Sequence, residues 1–527
     1  MEFYNEDYLD FSPKKKDSVL SKFLKNLKDS KKNFNFNEKK SSSDFKENKK
    51  INQQKNLSQK NFPQKFKKFY KAIFLPFIFS SLILCILYLS FHIAALNLTK
   101  IRPVQNLTLE QQNELNSLLD KTFPNRLEIL HNLPYKTVNA DLFINAKSAI
   151  LIDAISGDIL YEKNAELPIP PASMTKLVEM YVVFDAVEKG EISLDDVVPL
   201  PSDSWAINLP RDASIMFLAE GQTVTLRELL LGLSIASGND ASIAVAHYVA
   251  GNMESFVEKM NTVIQNMGLT KTHFVESSGY SEKNITTAKE FASFCKNYIE
   301  RFPFALKEFH SQEILRYPLK KNLPEYKKDK GDSEAIIQYN TNKLLGKLDG
   351  ADGLKTGFIY ESGYNLALTA TRDNRRFLSV TMGGPGIGSA QGNLYRNADG
   401  TTLMNFAFNG FATYVSDEEK SFSVNTSASK EKSIKLVPAF SENFTVPFIK
   451  GNIPQDSVNA LQIQVKIPNL LIGQVNKGEQ YGTITYSIDK NVLNEIPLVA
   501  DRESSSKSKL QILIAKGLYF YNQCFTK

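Results

Sequence analysis

The sequence predicts an α/β body followed by a small all-β domain, both behind one membrane-spanning helix. Three observations predict this. Ala72 to Thr99 carries no Lys, Arg, Asp or Glu. Between about Asn139 and Tyr414, short strand-like runs alternate with apolar helical stretches. From Ile434 onward, five short strand-like runs follow one another with turn signals between them.

Residues 1–71 contain 19 Lys, no Arg and 9 acidic residues, a net of +10 against +6 for the whole 527-residue chain, so the remainder is −4. Rich in Lys, Asn, Ser and Phe with little apolar periodicity, this tail is expected to be disordered. The basic balance belongs to the tail, and nothing in the body predicts a nucleic-acid-binding fold. A helix needs about 20 apolar residues to cross a bilayer, and residues 72–96 supply them, with Pro76 near the start. The Lys-rich flank places the N-terminus in the cytoplasm and the rest outside, at the periplasmic face of the inner (cytoplasmic) membrane. The apolar stretch is longer than a signal-peptide core, so a retained signal-anchor is expected. Residues 97–138 read as a polar juxtamembrane linker, helical around Leu109–Leu119.

In the body (139–414), Ala149–Asp153 and Gly157–Glu162 read as strands. Helices are expected at about Ser173–Lys189, Leu226–Ile235, Asp240–Ala250 and Met253–Asn266. Lys320–Glu334 reads as a charged surface loop. Asn365–Thr371 and Phe377–Met382 alternate as paired strands joined by Asp373-Asn374, and a last helix lies near Ala398–Phe408. Residues 415–433 are Ser- and Lys-rich and read as a linker, 434–502 as the all-β domain. In the C-terminal segment, 503–527, Leu510, Leu513, Ile514, Gly517, Leu518, Tyr521 and Phe525 share one helical face, with Lys507, Lys509 and Lys516 around them. That is a basic amphipathic helix suited to a membrane surface. The three cysteines and five histidines show no disulfide or metal pattern, and no cofactor or metal site is expected.

Three short strings carry chemistry. Ser173-Met174-Thr175-Lys176 stands at the start of an apolar helix after Pro170-Pro171. S-x-x-K also occurs at Ser43–Lys46, Ser293–Lys296 and Ser427–Lys430, so it is weak alone. A serine hydroxyl needs a base to become a nucleophile. On a helix, positions i and i+3 share a face, so the Lys176 amine can reach the Ser173 hydroxyl. The amine must be neutral, and burial plus a second cation, Lys355, would lower its pKa. Ser237-Gly238-Asn239 can relay a proton and bind an amide. Lys355-Thr356-Gly357 opens a strand-like run in which Gly357 allows close backbone approach. Separately these read as a helix cap, a turn and a surface lysine.

Together, and in this order, the three strings resemble the active-site elements of the penicillin-recognising serine enzymes. Flanking strings narrow the resemblance to the serine-type D-alanyl-D-alanine carboxypeptidases, the low-molecular-mass penicillin-binding proteins. These are Asp153 to Glu162, Glu166 to Lys176, Gly268 to Phe274 with Ser278-Gly279, Gly353 to Phe358, Ser362 to Leu366 and Met382-Gly-Gly384. The resemblance covers about Asn139 to Tyr414 and continues weakly to about Arg502. It implies a three-layer α/β/α domain of the serine β-lactamase/transpeptidase type on an antiparallel sheet. It implies Ser173 as nucleophile, Lys176 as base, Ser237, Asn239 and Lys355 as further catalytic residues, and the Ser173 and Phe358 N–H groups as oxyanion donors. Thr356, Gly357 and Arg396 are the implied contacts to substrate, with Arg396 shortly before the last helix. A further family arginine is missing here, where Lys343 precedes Leu344-Leu345. The implied activity is removal of the terminal D-alanine from peptidoglycan stem peptides through an acyl-enzyme, with β-lactams acylating the same serine. The all-β domain would hold the site away from the membrane.

Two other readings stay open from the residues. A class A-like β-lactamase needs a Glu-activated water for deacylation, and Glu276 is the acid placed between the second and third strings. A sensor or envelope-binding module acylated without turnover is the other, against which the intact set of reactive residues argues.

Overall fold

A computed structural model describes residues 68, 70–136, 141–416, 420–448 and 458–525. Most of the tail expected to be disordered lies outside them. Helix α1 (Leu75–Asn97) is the one helix long and apolar enough to cross a membrane among the described residues.

The body is built on strands β1 (His131–Asn132), β2 (Ser148–Asp153), β3 (Asp158–Lys163), β4 (Ile314–Tyr317), β5 (Ile336–Tyr339), β6 (Ala351–Ile359), β7 (Gly363–Arg372) and β8 (Arg375–Gly384). Six of them form one sheet in the order β1-β3-β2-β8-β7-β6, antiparallel except for β1 beside β3. Successive strand side chains point to opposite faces, and here both faces are covered. Ile150, Ile152, Leu378 and Val380 enter one core with the helices that carry Leu177, Leu229 and Phe294. Ala149, Leu151, Leu366 and Leu368 enter the other with Leu403, Met404 and Ala407. The result is the expected three-layer α/β/α arrangement. Asp373 and Asn374 close the β7–β8 hairpin with φ of +49° and +60°, the left-handed pair that matches strand twist in a two-residue turn.

The helices are α2 (Leu109–Thr122), α3 (Lys176–Glu188), α4 (Leu226–Leu231), α5 (Asn239–Ala250), α6 (Met253–Asn266), α7 (Ala288–Arg301), α8 (Gly388–Gly410) and α9 (Lys509–Phe525). Two differ from the sequence reading. Helix α7 was not expected; Thr287 caps it and its Phe291, Phe294, Cys295 and Tyr298 are buried against the sheet. Helix α8 begins ten residues before the expected Ala398, because Gly388 and Gly392 disguise its first turns. Gly392 is required there: a Cβ would sit 2.1 Å from the Tyr364 ring. Lys320–Glu334 is not an open loop but short 3₁₀ turns, Lys320–Asn322 and Glu325–Glu334, between the paired strands β4 and β5.

The second domain contains β10 (Phe422–Ser427), β11 (Ser433–Pro438), β12 (Phe444–Pro447), β13 (Gln462–Lys466), β14 (Leu471–Ile472), β15 (Gln480–Ile488) and β16 (Asn491–Ala500). Their main sheet runs β13-β15-β16-β11-β10-β14, and β12 pairs instead with β9 (Phe411–Tyr414). Strand β10 lies inside the stretch 415–433 expected to be a linker. Its single buried apolar residue, Val424, gives almost no alternation to read, and its polar residues are satisfied by the fold: Asn425 Nδ2 donates to the Leu98 carbonyl at 3.1 Å.

Within the expected juxtamembrane linker, the described residues 97–136 are likewise no spacer. A Thr108–Gln111 capping box starts α2. Leu115 and Leu119 of that helix are buried with Ala439 and Val499 of the second domain. Strand β1 then adds an edge to the body's sheet. Helix α9 exposes Leu510, Leu513, Ile514 and Phe525. Its Tyr521 ring meets Phe91 edge-on at 5.1 Å.

Candidate active site

The serine stands on a 3₁₀ turn, Ala172–Thr175, that leads straight into α3. Ala172 is fully buried at φ +52°. A non-glycine residue held there is strained, and surrounding structure must over-determine it. Two glycines do so. A Cβ on Gly279 (φ +79°) would lie 1.9 Å from the Ala172 carbonyl oxygen, and one on Gly357 would lie 2.4 Å from the Pro171 carbonyl oxygen. The turn is therefore clamped between the 276–281 loop and strand β6.

Lys176 opens α3 and is fully buried. Its Nζ donates to Ser278 O at 2.6 Å and to Asn239 Oδ1 at 2.8 Å, and lies 3.4 Å from Ser173 Oγ. Burial pushes its pKa down, while Glu179, Glu276 and Asp240 push the other way. Asn239 is the first residue of α5. Next to it, the Asp240 carboxylate accepts from Met216 N at 2.9 Å and Leu218 N at 3.0 Å. The turn that carries Ser237 is held by Gly238 N on Gly232 O at 3.1 Å and Asn239 N on Ser214 O at 2.7 Å; Ser237 sits at φ +61°, and its buried Oγ has no partner among the described residues.

Strand β6 brings Lys355, Thr356, Gly357 and Phe358 alongside. Among the described residues, Lys355 Nζ donates only to the Thr356 carbonyl, at 3.1 Å. Burial first, then Lys176 and Arg396, hold its pKa well below the ordinary lysine value. Thr356 Oγ1 donates to Thr341 Oγ1 at 2.8 Å, and the half-exposed Phe358 ring stacks on Tyr364 at 4.4 Å. Arg396 lies within α8, not before it. Its guanidinium is 5.6 Å from the Tyr364 ring centre, bonds Asn393, and leaves Nε buried without a partner among the described residues. Burial lowers its pKa to about 10. Lys343 donates to Asn340 O at 2.9 Å and feels Arg396.

All nine residues singled out from the sequence thus belong to two turns, two helix starts, one strand and one facing helix. Sequence reasoning missed Glu179, Asp240, the Ser278 carbonyl and His310. Asp240 had a signal, an acid directly after Asn239. His310 had none: it is buried between Ser234 Oγ at 3.2 Å and Tyr298 OH at 2.7 Å, and burial first, then Lys355, push its pKa to about 3.

The family model described as D-alanyl-D-alanine carboxypeptidase matches residues 135–386, and the one described as the C-terminal domain of penicillin-binding protein 5 matches 412–505. D-alanyl-D-alanine carboxypeptidase DacF of Bacillus subtilis (strain 168) is 30% identical over 370 residues, 69% of this chain and 87% of that protein. The chain belongs to the D-alanyl-D-alanine carboxypeptidase family. DacA of Escherichia coli (strain K12) is 30% identical over 369 residues, 68% of this chain and 84% of that protein. Among solved structures, penicillin-binding protein 5 from Haemophilus influenzae matches with a TM-score of 0.58 at 28% identity, covering 70% of this chain and all (100%) of that one. The carboxypeptidase DacD from Francisella tularensis gives 0.56 at 26% identity, covering 71% and 97%. This chain is accordingly a penicillin-binding serine D,D-carboxypeptidase. Residues 1–134, with α1, α2 and β1, precede both family matches.

Proposed function

We propose that Ser173 is the residue acylated in the D,D-carboxypeptidase reaction, with Lys176 as its base. The observation that carries this is the Lys176 amine, buried, held by two carbonyl oxygens and 3.4 Å from Ser173 Oγ. A stem peptide ending in D-Ala-D-Ala lies along β6. Lys176 takes the Ser173 proton, and the oxygen attacks the penultimate D-alanine carbonyl. The Ser173 and Phe358 N–H groups bind the oxyanion. The departing D-alanine amine is protonated through the Ser237–Lys355 side, and water then releases the peptide. A β-lactam enters the same acylation and deacylates slowly.

Arg396 and Thr356 read the terminal carboxylate. A guanidinium fork suits two carboxylate oxygens, and the buried Arg396 Nε has no other partner among the described residues. Losing a charge-assisted contact costs about 1.5–3 kcal/mol, roughly ten- to a hundred-fold in kcat/KM. Product analysis on a stem pentapeptide tests the whole reading: free D-alanine plus tetrapeptide is expected. Arg396→Ala should lower turnover of that peptide far more than of its amidated analogue, and equal losses would remove Arg396 from carboxylate recognition.

A β-lactamase reading through Glu276 is not favoured. That carboxylate already accepts from Ser278 N and Gly279 N at 2.7 Å each, from Ser278 Oγ at 2.6 Å and from Asn284 Nδ2 at 2.8 Å, which leaves little capacity for a water. For topology, α1 is retained as the anchor, with residues 1–71 cytoplasmic and the body periplasmic, and the exposed apolar side of α9 rests on the membrane surface. Protease treatment of spheroplasts should cut the body and spare an N-terminal tag; loss of the tag would contradict the orientation.

A further inference from the structure

Glu179 is a buried ionisable group that the scheme above does not use. It lies one turn beyond Lys176 on α3, and both side chains are fully buried. The short contacts of the amine go to Asn239 and Ser278, not to this carboxyl. Glu179 Oε2 is 2.8 Å from Ser242 Oγ, which is 2.7 Å from Ser277 Oγ. Glu179 Oε1 is buried with no hydrogen-bond partner among the described residues.

A buried carboxylate with an empty oxygen is costly, because a charge taken out of water needs bonds to replace hydration. Its surroundings make it costlier. Asp240 of α5 and Glu276 of the neighbouring loop, two further carboxyls, already take the local backbone N–H groups. On the other side stand Lys176 and, beyond it on β6, Lys355. A neutral acid removes the conflict: Oε2–H can donate to Ser242, whose own hydrogen passes to Ser277. A neutral amine fits Lys176 equally well. Its two N–H bonds serve Asn239 and Ser278, and its lone pair is left for the Ser173 hydroxyl.

We propose that Glu179 is a neutral carboxylic acid at neutral pH and holds the proton that Lys176 must lack, so that base and acid form an uncharged couple in the resting enzyme. Glu179 is a positioning residue in this account, acting on Ser173 only through Lys176. Burial favours the uncharged form of each, pushing Lys176 down and Glu179 up, and outweighs the Lys176–Glu179 attraction that opposes it. The inference rests on the reading of Lys176 as the base.

The test is infrared spectroscopy on the full-length protein in detergent, grown with carboxyl-labelled ¹³C-glutamate, for the wild type and Glu179→Gln across pH. The expected result is a protonated-carboxyl carbonyl band at neutral pH that shifts with the label, is missing in E179Q, and gives way to carboxylate bands only in alkali. In parallel, the acid limb of the pH profile for acylation by a fluorescent penicillin should superimpose for wild type and E179Q. Absence of the band from the wild type at neutral pH would overturn the proposal. So would an E179Q acid limb displaced downward by more than about one pH unit, a tenfold change in proton affinity, because Lys176 would then have lost an ionised partner. Should E179Q fail to fold, Glu179→Asp, whose carboxyl carries no label, must lose the same band. Undiminished acylation in Lys176→Ala would sink the reading of the base while leaving the band in place, so the two failures are distinguishable.

Discussion

Asp153 and Asp158, where the two domains meet, are as buried as Lys176, Lys355 and Glu179 in the active site. Asp153 accepts from Ile155 N at 2.8 Å, Ser156 N at 3.1 Å, Thr413 Oγ1 at 2.5 Å and Thr445 Oγ1 at 3.2 Å. Asp158 accepts from Ser156 Oγ at 2.9 Å and Thr445 N at 2.6 Å. These carboxyls fasten the β2–β3 hairpin of the body to the β9–β12 pair. The active site is different: Ser237 Oγ, Glu179 Oε1 and Arg396 Nε are all buried and, among the described residues, unpartnered. Buried polar groups are normally bonded, so the vacancies are informative. At the junction Asp153 and Asp158 accept bonds that hold two domains together, although the Tyr135 hydroxyl beside them is buried without a partner among the described residues; the active site keeps capacity that a substrate or a moving proton can use.

Breaking the reactive side of this comparison should have the largest effect. Lys176→Ala removes the base and should slow acylation by a fluorescent penicillin by about 10²–10⁴-fold, the usual range for general-base loss. Acylation within tenfold of wild type would mean that Lys176 positions and does not take the proton. Gly279→Ala tests the clamp. Its Cβ would meet the Ala172 carbonyl at a residue with φ +79°, and a displacement of about 1 Å near reacting groups can cost about 10²-fold. Stopped-flow acylation should show that loss; an unchanged rate would mean that the serine turn is not held by its neighbours.

The smallest effect sharpens the structural side. Burial holds the Asp158 pKa above its ordinary value, with the Thr445 N–H bond opposing. Its contribution to stability is therefore full below the ordinary carboxylate pKa of about 4, and it is lost as pH rises through the raised value. Asp158→Asn keeps an acceptor for Thr445 N–H and cannot ionise. The melting temperature of D158N should fall less than that of wild type between about pH 4 and pH 7. A steeper fall in the variant would show that the ionised carboxylate stabilises the junction.

How much of this was legible depended on whether residues act locally. Ser173 and Lys176 declare themselves by helical spacing, and Asp373-Asn374 by turn chemistry. The layered body follows from alternation in β7 and β8 and from the family resemblance. What escaped depends on distant partners. Strand β10 looks like a linker because Asn425 and Val424 find their partners far along the chain. Helix α2 looks like spacer until Leu115 and Leu119 meet Ala439 and Val499. Glu179 is one of three acids in α3, and nothing local says that Ser242 and Ser277 wait beside it. Arg396 was found by analogy, but Gly388 and Gly392 hid the helix that presents it.

The central claim is that Ser173, and no other serine, is acylated. The most direct measurement labels the full-length protein with a fluorescent penicillin and maps the modified peptide by mass spectrometry, beside the Ser173→Ala variant. The account predicts one labelled peptide, carrying the adduct on Ser173, and no label in the variant. A label on Ser237 or elsewhere, or equal labelling of Ser173→Ala, would contradict it.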